Sequence, residues 1–370
     1  MLEVADIFRR YGGEYLTRFG QAMLPSHRRA FDAILACRTP ALGGHVLVCD
    51  RCGRPQYAYH SCRNRHCPKC HGEDTEAWIE ARRKELLPVP YFHLVFTLPE
   101  ELRDVVRRRQ KTCYGLLLKS AAGALLKLAA DPHYVGGMVG VLAVLHTWTR
   151  TLVYHPHVHC LVPGGGVSRD GRWMPARGRY LVPVKALSRI FRGMFRDAMA
   201  KELPDVPVPD AAWKKEWVVY AKPTVQGAEK ALTYLGRYVH RVAITNMVSR
   251  LLAIDNGRVT FCYQPSGQTG SGTMVLDANE FIRRFLQHVL PEGVHKVRYY
   301  GLWSPACRGL LRRVQLALAW DAPAPPPDPS PPTSEEPRSP HPMAGRPCPC
   351  CGHGRLVWVG PLAPHARAPP

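Results

Sequence analysis

Tyr154-His155-Pro156-His157-Val158-His159 sets His157 and His159 two residues apart, and on a strand that spacing puts both imidazoles on one face. Two histidines so placed suit one divalent ion. Positions then remain for a third protein ligand, water and a phosphate oxygen, so the ion would act as a Lewis acid on a scissile phosphodiester. His146, in a neighbouring strand-like run, is the expected third ligand, with Gln226 or Glu229 as alternatives. Downstream, Tyr234 and Tyr238 stand four apart in a helical stretch and would project side by side. A phenol with its usual pKa of ~10 is a poor nucleophile unless a polarised phosphate or nearby positive charge assists it. Arg237, His240 and Arg241 lie close enough in sequence to supply that charge. Read alone, the histidines could be ordinary core or surface residues and the tyrosines a packing stripe. Together they suit phosphodiester chemistry with two nucleophiles.

Cys49-x2-Cys52 and Cys67-x2-Cys70, fourteen residues apart, have the spacing of a four-thiolate zinc site. The stretch between them holds few aliphatic residues, so metal binding would supply the folding free energy that its apolar content cannot. Cys62, His60, His66 and His71 lie inside or beside it and leave a different ligand set open. Arg51, Arg54, Arg63, Arg65 and Lys69 give the module a basic character suited to phosphates. Near the other end Cys348, Cys350 and Cys351 stand beside Gly352 and His353, but four ligands are not evident there.

These residues need elements to hold them. The first forty residues have helical spacing, and 73–87 reads as a charged helix that stops before Pro88. YFHLVFTL (91–98) reads as a buried strand closed by Pro99. Residues 113–130 form an amphipathic helical pattern. VGVLAVLHTW (139–148) and HPHVHCLVP (155–163) read as a hairpin that carries the histidines. Further along come a helix over 228–242 with the tyrosines, a strand over 258–263, a helix over 278–290 and the run KVRYYGLW at 296–303. Strands and helices alternate without βαβ regularity, which indicates an α+β fold with an antiparallel sheet. From 322 to 347 proline dominates, a composition expected to be extended and disordered. The expected division is a helical lead-in and zinc-binding domain (1–90), a catalytic domain (91–321), a Pro-rich linker (322–347) and a Cys-containing tail (348–370).

Lysine and arginine number 50 against 29 acidic residues, a formal net charge of +21 that favours a polyanionic partner. The N-terminal MLEVADIFRR has no secretory character, and the apolar run from Tyr134 to Trp148 is broken by three glycines and too short to span a membrane. Thirteen cysteines in such a chain fit thiolates on metal in a reducing cytoplasm better than disulfides. There is no Walker A loop, so nucleotide-driven chemistry has no support.

CRTPALGGH (37–45), SCRNRHCPKC (61–70), YFHLVFTLP (91–99), HPHVHCLVPGGG (155–166), YLGRYVHRVAI (234–244) and FIRRFLQHVLPEGVHKVRYYG (281–301) resemble the blocks of the insertion sequence ninety-one transposases, in order. The resemblance implies an N-terminal zinc-binding domain and a two-tyrosine HUH catalytic domain, in which an antiparallel sheet flanked by helices carries His157-Val158-His159. It implies rolling-circle transposition through 5′-phosphotyrosine intermediates on Tyr234 and Tyr238. Mg2+ or Mn2+ is expected at the histidines and Zn2+ at Cys49, Cys52, Cys67 and Cys70. The expected partners are single-stranded DNA at element ends and target DNA, with Arg237 and Arg241 as phosphate contacts, in the cytoplasm at the nucleoid. Two rival readings are a non-catalytic zinc-dependent DNA-binding protein and an HUH replication initiator or relaxase.

Overall fold

A computed structural model describes residues 2–70, 72–177, 181–224, 227–239, 250–264, 270–320 and 342–365. The chain divides into two compact units: Gly72–Ala322 with Met1–Glu3, and Val4–His71 with Pro323–Pro370.

In chain order the helices are α1 (Val4–Phe19), α2 (Pro25–Ala36), α3 (Gly72–Arg83), α4 (Arg103–Arg108), α5 (Gln110–Ala129), α6 (Val184–Glu202), α7 (Ala211–Lys214), α8 (Gly227–Val239), α9 (Ala278–Leu286) and α10 (Arg308–Trp320). The strands are β1 (Gly44–Cys49), β2 (Pro55–Tyr59), β3 (Tyr91–Thr97), β4 (Gly140–Trp148), β5 (Tyr154–Pro163), β6 (Gly165–Val167), β7 (Trp173–Pro175), β8 (Val219–Pro223), β9 (Leu251–Asp255), β10 (Arg258–Tyr263), β11 (Gly272–Asp277), β12 (Val297–Gly301) and β13 (Leu356–Leu362). The fold is α+β, as its pattern indicated.

The larger unit is built on a five-stranded antiparallel sheet with the order β12-β4-β5-β3-β8. The unbroken apolar run of β4 is buried almost throughout, because helices cover both faces of the sheet at its centre. Side-chain alternation divides the strands between two cores. Val141, Ala143 and Leu145 of β4, with Val158 and Cys160 of β5, pack with Leu117, Ala121 and Leu125 of α5 and with Leu187, Phe191 and Phe195 of α6. On the opposite face Leu142, Val144 and Leu161 pack with Leu232, Leu235 and Val239 of α8 and with Leu311 and Val314 of α10. That second face is the one to which His146, His157 and His159 belong by alternation. A separate sheet, β11-β10-β9, packs on α9 through the edge-to-face pair Phe261 and Phe281, and Asp277 caps that helix by accepting from the Asn279 and Glu280 amides.

The smaller unit joins the two ends of the chain. Phe8 of α1 meets Phe31 of α2, with Ile7, Tyr15, Ala30 and Ile34 buried around them. Beside these helices stands a three-stranded antiparallel sheet, β13-β1-β2, with β1 in the centre. Among the described residues, the buried apolar cluster of this sheet is Leu47, Cys49, Cys348 and Leu356. The expected linker was drawn to 347; residues 342–347 are instead structured, with Pro347 bridged to Arg355, while 321–341 lie outside the described residues.

Candidate functional site

The hairpin of β4 and β5 sets His146 directly opposite His157, and Val144 opposite His159. A cross-strand pair and an i, i+2 pair on one face bring three imidazoles together, with one ring nitrogen from each lying within 4.8 Å of the others. His146 and His159 are buried, and Trp148 stacks on His146 with ring centroids 5.0 Å apart. Burial holds the His157 imidazole down at about 4 and keeps His146 and His159 well below the ordinary histidine range. All three are therefore neutral at pH 7, the form in which an imidazole can bind an ion.

For His157 a hydrogen bond settles which nitrogen would bind it. The Nδ1–H of His157 donates to the His155 carbonyl at 2.6 Å, which leaves Nε2 as the ligand atom. His159 Nδ1 lies 2.8 Å from Nε2 of His93, on β3. One of those nitrogens must hold the proton. If His159 holds it, its Nε2 faces the centre as a lone pair, and His93 is the acceptor. Sequence reasoning did not find His93, although it stands in the strand-like run that was singled out; its register opposite Leu161 is a tertiary fact.

The donor set fits an ion. Metal–imidazole bonds of about 2.0–2.1 Å require ligand nitrogens roughly 3–4 Å apart, within the span seen here. Three borderline nitrogen donors suit a transition ion better than Mg2+, which prefers oxygen. Of the alternative third ligands, Glu229 is exposed, 3.8 Å from the Arg83 guanidinium, and Gln226 lies outside the described residues. His146 is the residue that meets the pair.

Tyr234, Arg237 and Tyr238 belong to α8, the helix whose Leu232, Leu235 and Val239 cover the histidine face of the sheet. Their side chains are outside what the structure describes, and His240 and Arg241 lie outside the described residues. Gly236 of the same helix makes a close approach to α3. A Cβ there would fall 2.5 Å from Cγ1 of Ile79, so it is close helix packing, and not contact with the sheet, that calls for glycine.

The cysteines depart from the expected pairing. Cys67 and Cys70 gather with Cys37 and Cys62, whereas Cys49 and Cys52 gather with Cys348 and Cys351. The reason is the β1–β2 hairpin. Cys49 and Cys52 lie at its turn, while Cys37 and Cys62 flank its open end, where Gly44 pairs with Tyr59. The five residues of β2 span roughly 17 Å, too far for one ion to collect both CxxC pairs. In the first cluster Cys70 Sγ lies 3.4 Å from Cys37 Sγ and 3.6 Å from Cys62 Sγ. Four sulfurs bound at about 2.3 Å to one ion would stand about 3.8 Å apart, so the fit is close. Hydrogen bonds within the cluster split the four thiols: those from Cys37, Cys62 and Cys67 hold Cys70 far below its usual range and those from Cys62 and Cys67 lower Cys37 to about 7, while bonds to Cys37 push Cys62 and Cys67 well above theirs. Sulfurs this close share protons, which binding of an ion to all four would release.

Residues 7–98 match the family model described as "Transposase zinc-binding domain", and residues 140–309 match the one described as "Putative transposase". The chain is 41% identical over 382 residues to "Putative transposase y4qJ" of Sinorhizobium fredii, covering 96% of this chain and 94% of that protein. It is 29% identical over 320 residues to "Transposase for insertion sequence element IS801" of Pseudomonas savastanoi pv. phaseolicola, covering 80% and 74%. No solved structure matches it. A zinc-binding module and a transposase match that spans the whole histidine hairpin thus occur in one chain, and the chain belongs to the insertion sequence ninety-one family of transposases.

Proposed function

We propose that this transposase moves its element by a rolling-circle route, cutting and rejoining single DNA strands through tyrosine esters formed at the three-histidine centre. The observation that carries the reading is that His146, His157 and His159 belong to the sheet face covered by α8, the helix of Tyr234 and Tyr238. His146, His157 and His159 would hold a divalent ion, Mn2+ in preference to Mg2+, which supplies Lewis-acid polarisation of the scissile phosphate. The oxygen of one tyrosine attacks phosphorus, the bond to the 3′-oxygen breaks, and that oxygen takes up a proton as the 5′-phosphotyrosine forms. Reversal by a 3′-hydroxyl rejoins strands with no external energy source. Because the two tyrosines are one helical turn apart, one can hold the donor strand while the other cuts. Arg237 and Arg241 are the candidate phosphate contacts. Cys37, Cys62, Cys67 and Cys70 hold a structural zinc ion. No helix among the described residues is long and apolar enough to cross a membrane. On this reading the enzyme would act where its DNA is, in the cytoplasm at the nucleoid.

The test is a denaturing gel that detects a covalent adduct with a labelled single-stranded oligonucleotide of the element end, with and without Mn2+. The wild type should give a metal-dependent adduct, His157→Ala and His159→Ala together should abolish it, and so should Tyr234→Phe with Tyr238→Phe. Retained binding of the oligonucleotide with no adduct under any condition would sink the enzyme reading and leave a DNA-binding protein.

A further inference from the structure

Cys49, Cys52, Cys348 and Cys351 come together from opposite ends of the chain. Cys49 Sγ lies 3.7 Å from Cys351 Sγ and Cys52 Sγ lies 3.8 Å from Cys348 Sγ, the edge lengths expected of a zinc tetrathiolate. Only Cys49 and Cys52 fall inside the matched zinc-binding domain.

The two contributing turns are alike. Cys49-Asp50-Arg51-Cys52-Gly53 and Cys348-Pro349-Cys350-Cys351-Gly352 each close with the glycine amide donating to the carbonyl of the first cysteine, at 3.0 and 2.9 Å. Both glycines have φ near +70°, a conformation that side chains disfavour. Amides also point at the sulfurs: Cys52 N–H at Cys49, Cys350 N–H at Cys348 and Gly354 N–H at Cys351, each at 3.4 Å. Such donors stabilise thiolates held on a cation. The turns press close together: a Cβ on Gly354 would collide with Cys49 Sγ and stand 2.8 Å from the Asp50 carboxylate. Asp50 in turn accepts from the Arg355 amide at 2.8 Å. Between them these turns bury little apolar surface, so side-chain packing alone gives no reason for four sulfurs to converge.

We propose that Cys49, Cys52, Cys348 and Cys351 hold a second structural zinc ion, which fastens β13 from the C-terminal end to β1 near the N-terminus. Cys350 is not a ligand; it is exposed and accepts from Gln56 Nε2.

Metal analysis of the full-length protein should find two zinc ions per chain. Cys348→Ser with Cys351→Ser should bind one, and Cys350→Ser should still bind two. In the zinc-loaded wild type, alkylation should modify Cys350 readily and spare Cys348 and Cys351 until a strong chelator is added. This second measurement decides the matter even if the double variant does not fold. One zinc ion per chain, with Cys348 and Cys351 alkylated as fast as Cys350, would overturn the proposal, and so would a disulfide among the four found by mass spectrometry of freshly purified protein.

Discussion

If the three-histidine centre holds the proposed ion, His93 bears on its binding through His159. Its Nε2 lies 2.8 Å from His159 Nδ1, and His159 can offer Nε2 to an ion only while its own Nδ1 carries the proton and His93 accepts it. Replacing His93 with phenylalanine removes the acceptor, lets His159 adopt the wrong tautomer and should weaken Mn2+ binding by about 10–100-fold, the usual penalty for losing such a partner. His93→Gln, whose amide oxygen can accept, should recover part of the loss. A calorimetric Mn2+ titration checks both, with zinc content as the control that should not change; equal affinity in wild type and His93→Phe would remove the residue from the site. The alternation of His157 and His159 was legible because both lie on one strand within three residues. His93 was not, since its partner lies 66 residues away and nothing local marks it. The cysteine partners were hidden in the same way: Cys52 meets Cys348 across 296 residues, whereas the nearer CxxC of Cys67 and Cys70 offered a spacing that looked complete.

Packing of α8 against α3 governs where the tyrosine helix sits in its own unit. With Gly236 against Ile79 and Trp78, even one added carbon requires the helices to separate or Ile79 to move. Gly236→Val should cost about 1–3 kcal/mol by overpacking. It should lower the melting temperature by several degrees, and it should reduce adduct formation more than oligonucleotide binding because α8 shifts. A thermal melt run beside the gel assay tests this; a variant with unchanged melting and full activity would show that the contact tolerates bulk. The elements most visible in the sequence were those with continuous or strictly periodic apolar runs, such as β3, the β4–β5 hairpin, α5 and β10. Of those overlooked, three show why. Leu187, Phe191, Phe195 and Met199 mark α6 with a clear four-residue period. The short edge strand β8 ends at Pro223, and Tyr220 stands exposed on it, so its pattern is weak. Val357 and Val359 of β13 alternate with buried or half-buried neighbours, but they follow a proline-rich stretch whose composition dominated the reading of the tail.

At the scale of the whole molecule, a net charge of +21 makes release of counterions the main sequence-independent contribution to DNA affinity. Binding of single-stranded oligonucleotides should therefore weaken about tenfold or more between about 50 and 200 mM salt, with a linear log–log plot in a fluorescence anisotropy titration. A flat plot would mean that the charge serves something other than phosphate contact. The pairing of β1 with β13 has a different consequence, in the order of synthesis. Strand β1 leaves the ribosome early with only β2 to pair with, and its other edge stays open while some 300 further residues are added, roughly 15–60 s at bacterial elongation rates. An uncovered central strand is a template for wrong pairing during that interval. The first structural unit to begin is thus the last to finish, and a copy of the element with an early stop codon would yield a polypeptide that carries all three histidines of the candidate centre yet never closes its own amino-terminal fold.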